Sequence, residues 1–367
     1  DNEPLPNLPA DLQKITPDGD LTAIYEIGFS GANIQKLNLE GRLDDIRHGS
    51  SGFSSNMAIN RESISKLENS SALNGKSSKQ TLEPILQPTA ENRWGLWITG
   101  FGDFVSVEED SNATGYNFTT GGVSLGVDYR VTDCLTFGVF GNYSHTWTDL
   151  QPGDIGVDTG RGGLYATYFN RGFSVGTFYL NGAIYGGYNS YDSRRPALAG
   201  VATGNTDGGE LSTFVSGGYD FHLGQLTVGP IGSLQYTNVY LNGFSEQGSL
   251  APLQIHSDSE ESLRTDLGLR AFYRWKIGRC VVEPSIKATW EHEFKYSAIP
   301  ITAGFAEIPG PSATFVGPKE GQDSAILSAG FSIQWSPKIL TYVNYNGQLG
   351  RNRYDSNAVT GGVSISF

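Results

Sequence analysis

From Arg93 to the end, the chain alternates between apolar and polar residues. In the last stretch, Val359, Gly361, Val363, Ile365 and Phe367 share one face and Ala358, Thr360, Gly362, Ser364 and Ser366 the other, a strand with one apolar face that ends on an aromatic. The same period predicts strands near 93–106, 115–130, 135–149, 156–170, 173–190, 210–223, 226–241, 260–277, 280–296, 322–335, 340–350 and 354–367. Val123, Leu125, Val127 and Tyr129 oppose Ser124, Gly126, Asp128 and Arg130. Leu263, Leu267, Leu269, Ala271, Tyr273 and Trp275 oppose Arg264, Asp266, Gly268, Arg270, Arg274 and Lys276. Val282, Ile286, Ala288 and Trp290 oppose Glu283, Ser285, Lys287, Glu291 and Glu293. Segments 93–106 and 173–190 are ambiguous in phase.

The connections alternate in length. Val131-Thr132-Asp133-Cys134, Arg171-Gly172, Gly224-Gln225, Gly278-Arg279 and Ser336-Pro337-Lys338-Ile339 are short, whereas 191–209, 242–259 and 297–321 read as long, irregular loops. Short turns at one rim and long loops at the other are the pattern of an outer-membrane barrel. Outward aromatics Tyr129, Tyr168, Phe221, Trp275, Trp335 and Phe367 end the strands that run to the short-turn rim, as an interfacial girdle would. In the clean strands the charges fall on the polar face; on the lipid face each would cost roughly 2–4 kcal/mol at mid-bilayer. The expected fold is all-β, a 12-stranded antiparallel transmembrane β-barrel over 93–367. A soluble two-sheet sandwich accounts for the alternation but not for the loop asymmetry.

Before Arg93 the texture differs. Residues 1–15 are rich in Pro, Asp and Asn and read as extended; Thr16-Pro17 reads as an N-cap and first helical residue. Helical character runs from Leu21 to Glu26, is interrupted at Gly28, Ser30 and Gly31, and resumes from Ala32 to Arg47. In that second helix Leu37, Leu39, Leu43 and Ile46 make a narrow apolar stripe, and Lys36, Glu40, Arg42, Asp44, Asp45 and Arg47 fill the remainder. A helix this polar bridges solvent or sits in polar surroundings. Residues 49–92, rich in Ser and Asn, read as a linker.

Composition narrows the choice. A net charge of −13 disfavours a nucleic-acid partner, which needs clustered Lys and Arg. No run approaches eighteen apolar residues, so no transmembrane helix is expected, and a mean hydropathy of −0.28 suits a barrel with a single apolar face. No charged-then-apolar leader follows Asp1, as expected of a chain whose signal has been removed or of a fragment of a longer one.

Several motifs occur in a fixed order: Arg42-Leu43-Asp44-Asp45-Ile46-Arg47 before the linker, Trp94-Gly95-Leu96-Trp97 opening the first strand, Glu283-Pro284 with Trp290-Glu291-His292-Glu293-Phe294, and the terminal Phe367. With this order and spacing, residues 16–367 resemble the C-terminal translocator of autotransporters, the type V secretion family. The resemblance implies a barrel with the preceding helix (region 16–48) threaded through its lumen, and Arg42, Asp44, Asp45 and Arg47 as the helix charges. The alternation of the clean strands already places the lumen-facing barrel charges at Asp128, Arg130, Arg264, Arg270, Arg274, Glu283, Lys287, Glu291 and Glu293. An assembly signal at Val363, Ile365 and Phe367, read by the barrel-assembly machinery, also follows from the resemblance. The implied partners are outer-membrane lipid and an N-terminal passenger delivered to the surface of a Gram-negative-type cell, with residues 1–15 as its tail or a linker. The helix departs from the family in lacking the Asn pair at which some members are cleaved.

Little other chemistry is legible. His48, His145, His222, His256 and His292 show no ligand spacing, and no nucleotide fingerprint is present, so neither metal nor cofactor is expected. Glu283, Glu291 and Glu293 could act in acid–base cleavage of the helix, but pair more simply with Arg264, Arg270 and Arg274 on the neighbouring strand, or with Arg42 and Arg47. His145 and His292 fall on outward faces near the long-loop rim, where a barrel lipase would place a Ser–His pair, yet no nucleophile context accompanies them. A general diffusion channel and a barrel enzyme are the alternatives to a translocator.

Overall fold

The computed structural model describes residues 19–48, 93–150, 153–173, 176–295, 297–308, 310 and 312–367. The expectations for Thr16-Pro17, for 1–15 and for the 49–92 linker lie outside these residues. Twelve barrel strands follow in chain order: β1 Trp94–Val107, β2 Tyr116–Thr132, β3 Leu135–Asp149, β4 Asp154–Phe173, β5 Gly176–Ala197 and β6 Gly200–Leu223. Then come β7 Leu226–Leu241, β8 Asp258–Tyr273 (continued beyond Arg274 as Trp275–Ile277), β9 Cys280–Glu293, β10 Asp323–Ser336, β11 Ile339–Arg351 and β12 Tyr354–Ser366. Each pairs antiparallel with its neighbours in sequence, and β12 closes on β1 from Gly95↔Ser366 to Val107↔Tyr354, so the barrel wall itself has no free edge.

Period two decides which side chains face out. Leu125, Tyr168, Leu267, Leu269, Trp275, Trp290, Trp335 and Phe367 are exposed on the outer wall, and Asp128, Arg264, Asp266, Arg270, Glu291 and Glu293 are buried inside. The two ambiguous strands now have a phase. In β1, Trp94, Leu96 and Ile98 face out and Trp97 faces in; in β5, Phe178, Leu180, Ile184 and Tyr188 face out while Tyr179, Tyr185 and Tyr191 face in. Their ambiguity has a physical cause: large aromatics fill the lumen on one side, so both faces read as apolar.

A 3-10 turn, Gly19–Thr22, leads into one continuous helix, α1 Ala23–His48, threaded through the barrel. The expected break at Gly28, Ser30 and Gly31 does not occur. These small residues serve close approach: a Cβ at Gly28 would lie 2.7 Å from Val239, one at Gly31 would collide with the Arg161 guanidinium, and Ser30 Oγ donates to Asp103. The helix N-terminus lies at the long-loop rim and its C-terminus at the short-turn rim.

Four connections also differ from expectation. The segment 191–209 is no loop; β5 and β6 run on as a hairpin joined by Leu198-Ala199, with Ala199 in the left-handed region (φ 55°). A buried two-pronged ion pair, Arg195 Nε and Nη2 to Glu246, each 2.7 Å, stitches this extension to the β7–β8 connection. Its Gly, Pro and Asn content resembles a loop because few of its residues are apolar. The connections 242–259 and 297–321 likewise carry a four-stranded sheet, ordered 313–316, 300–305, 253–255, 244–245, whose Ile301, Ala303, Leu253 and Ile255 pack on Leu21, Ile24 and Tyr25. Arg171 and Gly172, expected as a turn, belong to β4.

Cys134 sits in the turn opening β3 and Cys280 opens β9, six strands apart around a ring of twelve, and both are free. A disulfide needs Cα atoms within about 7 Å, and the chord across such a barrel exceeds roughly 15 Å at about 4.8 Å per strand. Maleimide labelling of unreduced, denatured protein should therefore count two thiols; an intramolecular 134–280 bridge by mass spectrometry would contradict the strand order.

Candidate functional site

Every face of α1 is buried, although it carries seven charges outside its last residue (Glu26, Lys36, Glu40, Arg42, Asp44, Asp45 and Arg47). Its apolar stripe, Leu39, Leu43 and Ile46 with Ala32, packs on an aromatic wall of Trp97, Phe140, Tyr165, Phe169, Tyr179, Tyr185 and Phe214. Leu37, assigned to the same stripe from sequence, is half-buried and lies apart from that cluster. Tyr185 Oη also donates to the Ala32 carbonyl at 2.7 Å, so the wall grips the helix backbone itself.

The charged face meets partners at successive depths. Near the long-loop rim, Asp103 on β1 accepts from Ser30 and from Ser356 Oγ (2.9 Å). Midway, Lys36 pairs with Asp266 on β8, whose carboxylate also accepts from Ser233 (2.6 Å), and Gln35 accepts from Ser124 (3.0 Å). Lys287 on β9 reaches Glu40 at 3.3 Å.

Arg42 is the tightest anchor. Its Nε and Nη2 donate to the two Asp128 oxygens at 2.8 and 2.9 Å, both side chains being fully buried. Asp128 accepts again from Tyr165 Oη (3.0 Å), which in turn accepts from Trp97 Nε1 (2.7 Å). Gly95, opposite Asp128 in register, leaves room for this pair, and Gly126 leaves room for the Trp97 indole; a Cβ at either would collide with the group it faces. The Trp94-Gly95-Leu96-Trp97 motif is thus half girdle and half anchor.

At the helix C-terminus cations gather where the dipole is negative. Arg270 donates to Asp220 at 2.8–3.1 Å and to Asp44 at 2.6 Å, and Arg47 pairs with Asp44 and donates to Asn181 (2.7 Å). The Tyr179 ring stacks against both guanidiniums, 4.0 Å from Arg47 and 4.2 Å from Arg270. Arg274 Nη2 donates to the His48 carbonyl (2.6 Å) and the guanidinium holds Glu283 (3.1 Å), which lies 3.4 Å from His48 Nδ1.

The site residues read from sequence therefore divide. Asp128, Arg270, Arg274 and Lys287 reach the helix directly. Glu283 touches it through His48. Arg264 and Glu293 pair with each other (2.8 Å), and Glu291 accepts from Gln348 and Ser324, so these brace the wall. Arg130 sits at the rim, donating to Asp133 of its own turn (2.7 Å). Asp45 is half-buried, with Oδ2 making no hydrogen bond among the described residues. The pairing alternative for the glutamates holds for Arg264 and Arg274, whereas Arg42 takes Asp128 and Arg270 takes Asp220. Sequence reasoning missed Asp103, Asp220 and the inward tyrosines, and placed Asp266 on the polar face without singling it out; once strand phase is known, each is an inward position, which is the signal that could have found them.

Residues 96–346 match the family model for the autotransporter β-domain. The chain belongs to that family. It is therefore an outer-membrane translocator β-domain. It is 27% identical to an extracellular serine protease of Serratia marcescens over 293 residues, covering 74% of this chain and 26% of that protein. It is 25% identical to the esterase EstA of Pseudomonas aeruginosa over 281 residues, 71% of this chain and 41% of that protein. The β-domain thus spans less than half of either relative. Among solved structures it resembles the translocator domain of the Neisseria meningitidis autotransporter NalP (TM-score 0.60, 16% identity, 87% of this chain and 99% of that one). It also resembles the β-domain of the Bordetella autotransporter BrkA (TM-score 0.58, 19% identity, 75% of this chain and 100% of that one).

Arg42→Ala should leave Asp128 buried without its cation and lower unfolding stability by about 3–5 kcal/mol. The double substitution Arg42→Leu with Asp128→Leu should recover most of that loss. Urea unfolding in detergent micelles, followed by heat-modifiable gel mobility, measures both.

Proposed function

We propose that this β-domain exports and anchors whatever polypeptide is joined to the N-terminal side of α1, and that α1 is both tether and plug when export is complete. The observation that carries this reading is the direction of the buried helix. Its N-terminus faces the long-loop rim, the cell-surface side in this reading, while its C-terminus lies at the short-turn rim where β1 begins. In this reading Arg42 and Asp44, with Glu40 and His48, set the depth at which the helix stops, against Asp128, Arg270, Lys287, Arg274 and Glu283, while Arg47 braces Asp44 and Asn181. Arg264, Glu291 and Glu293 hold the wall behind them. A diffusion channel has no use for a helix bound at every depth. The barrel itself does no chemistry in this proposal; protease and esterase are the names of longer relatives, and any such activity belongs to a passenger.

The outward Val363, Ile365 and Phe367 are proposed as the signal read by the barrel-assembly machinery. Phe367 is 54% exposed, and its backbone exchanges hydrogen bonds with Trp94 (3.0 and 3.2 Å) at the closing seam.

Removing residues 1–50 should raise single-channel conductance in planar bilayers; an unchanged value would mean that the helix does not plug the pore. Deleting Phe367 should reduce the yield of heat-modifiable, membrane-inserted barrel far more than Tyr129→Ala does. Equal losses would assign both residues to girdle packing alone.

A further inference from the structure

The outer wall carries one constellation twice. On β3 the outward residues Tyr143, His145 and Trp147 follow at every second position; at the end of β9 the series is Trp290, His292 and Phe294. Each histidine has Nδ1 2.8 Å from an aspartate Oδ1 on the next strand, Asp158 on β4 and Asp323 on β10. That same oxygen accepts a second bond from the aromatic two residues before the histidine: Tyr143 Oη at 2.6 Å in one case, Trp290 Nε1 at 3.0 Å in the other. The aromatic two residues after it meets the imidazole edge-on, Trp147 at 4.5 Å and Phe294 at 4.7 Å between ring centres. Strands β3 and β9 stand six places apart in the ring of twelve, so the two sets face opposite sides of the barrel at the same, long-loop end.

None of these side chains contributes to the lumen. Tyr143 is 56% and Trp147 58% exposed, and Trp290 and Phe294 are exposed to a similar degree, so the aromatics form the upper girdle, at headgroup level. The aspartate, fixed by two donors, turns each imidazole so that Nδ1 faces the protein and Nε2 faces away from it. What lies beyond Nε2 on this side of the wall is the outer leaflet. With Nδ1–H given to the aspartate and aromatics on either side, Nε2 is the ring atom left to meet the leaflet, and a doubly protonated ring would offer it one outward N–H. A headgroup phosphate oxygen is the partner for which such a bond is charge-assisted and strong.

We propose that each constellation docks the phosphate of an outer-leaflet lipid through the histidine Nε2, so that one barrel holds two such lipids on opposite sides. Native mass spectrometry of the full chain in maltoside micelles tests this, with phosphatidic acid as the phosphate lipid and oleate as an anionic lipid lacking phosphate. Wild type should retain up to two phosphatidic acid molecules in preference to oleate. His145→Leu and His292→Leu should each remove one, and the double variant both, with affinity at the altered site down about tenfold or more. Apolar residues suit the lipid face, so these variants should assemble, as heat-modifiable mobility will show. Should one fail to assemble, the wild-type comparison decides alone. Equal retention of oleate, undiminished phosphatidic acid on the double variant, or inorganic phosphate binding as tightly as the lipid would overturn the proposal.

Discussion

A helix with seven charges can lie inside a closed barrel only if the wall supplies partners at the depth where each charge stops. An isolated charge taken out of water costs several kcal/mol, and an ion pair offsets that cost only when its geometry is good and its remaining oxygens are bonded. The Arg42–Asp128 pair meets that demand, with both guanidinium bonds in place and Tyr165 taking a further lone pair of the carboxylate. The remaining architecture serves such contacts: inward phase on β2 and β8, small residues where the helix comes close, and aromatics that fill what the helix leaves open.

The lumen is divided in kind around the helix. Toward β3–β6 it is aromatic and packs against the Leu39–Leu43–Ile46 stripe; toward β8 and β9 it is charged and reads Lys36, Glu40 and Asp44 in turn. The apolar side supplies burial that does not depend on register. The ion pairs are directional, so sliding the helix by one turn, about 5.4 Å, would unmake them all. Packing holds the helix in and the charges fix where it stops, which is the behaviour a tether needs.

The two rims differ for a related reason. The short turns only reverse the chain. The long-loop rim carries a hairpin extension, a small sheet and the Arg195–Glu246 pair, which cover the apolar first turns of α1. Leu21, Ile24 and Tyr25 would otherwise face water at the mouth, so these connections act as the missing half of a hydrophobic core.

Barrel class, strand count, the facing of the clean strands and the presence of a helix before the barrel were legible in the chain because alternation and turn spacing are local properties. In β1 and β5 that reading failed, since inward aromatics make both faces apolar, and at Gly28, Ser30 and Gly31, where residues that weaken an isolated helix are chosen for contact with Val239, Asp103 and Arg161. It failed again at 191–209, where strand extension depends on an ion pair to a residue some fifty positions away. Which barrel charge meets which helix charge was decided only by tertiary structure. Pairing across the lumen depends on the axial rotation and depth of the helix, and no local pattern encodes either.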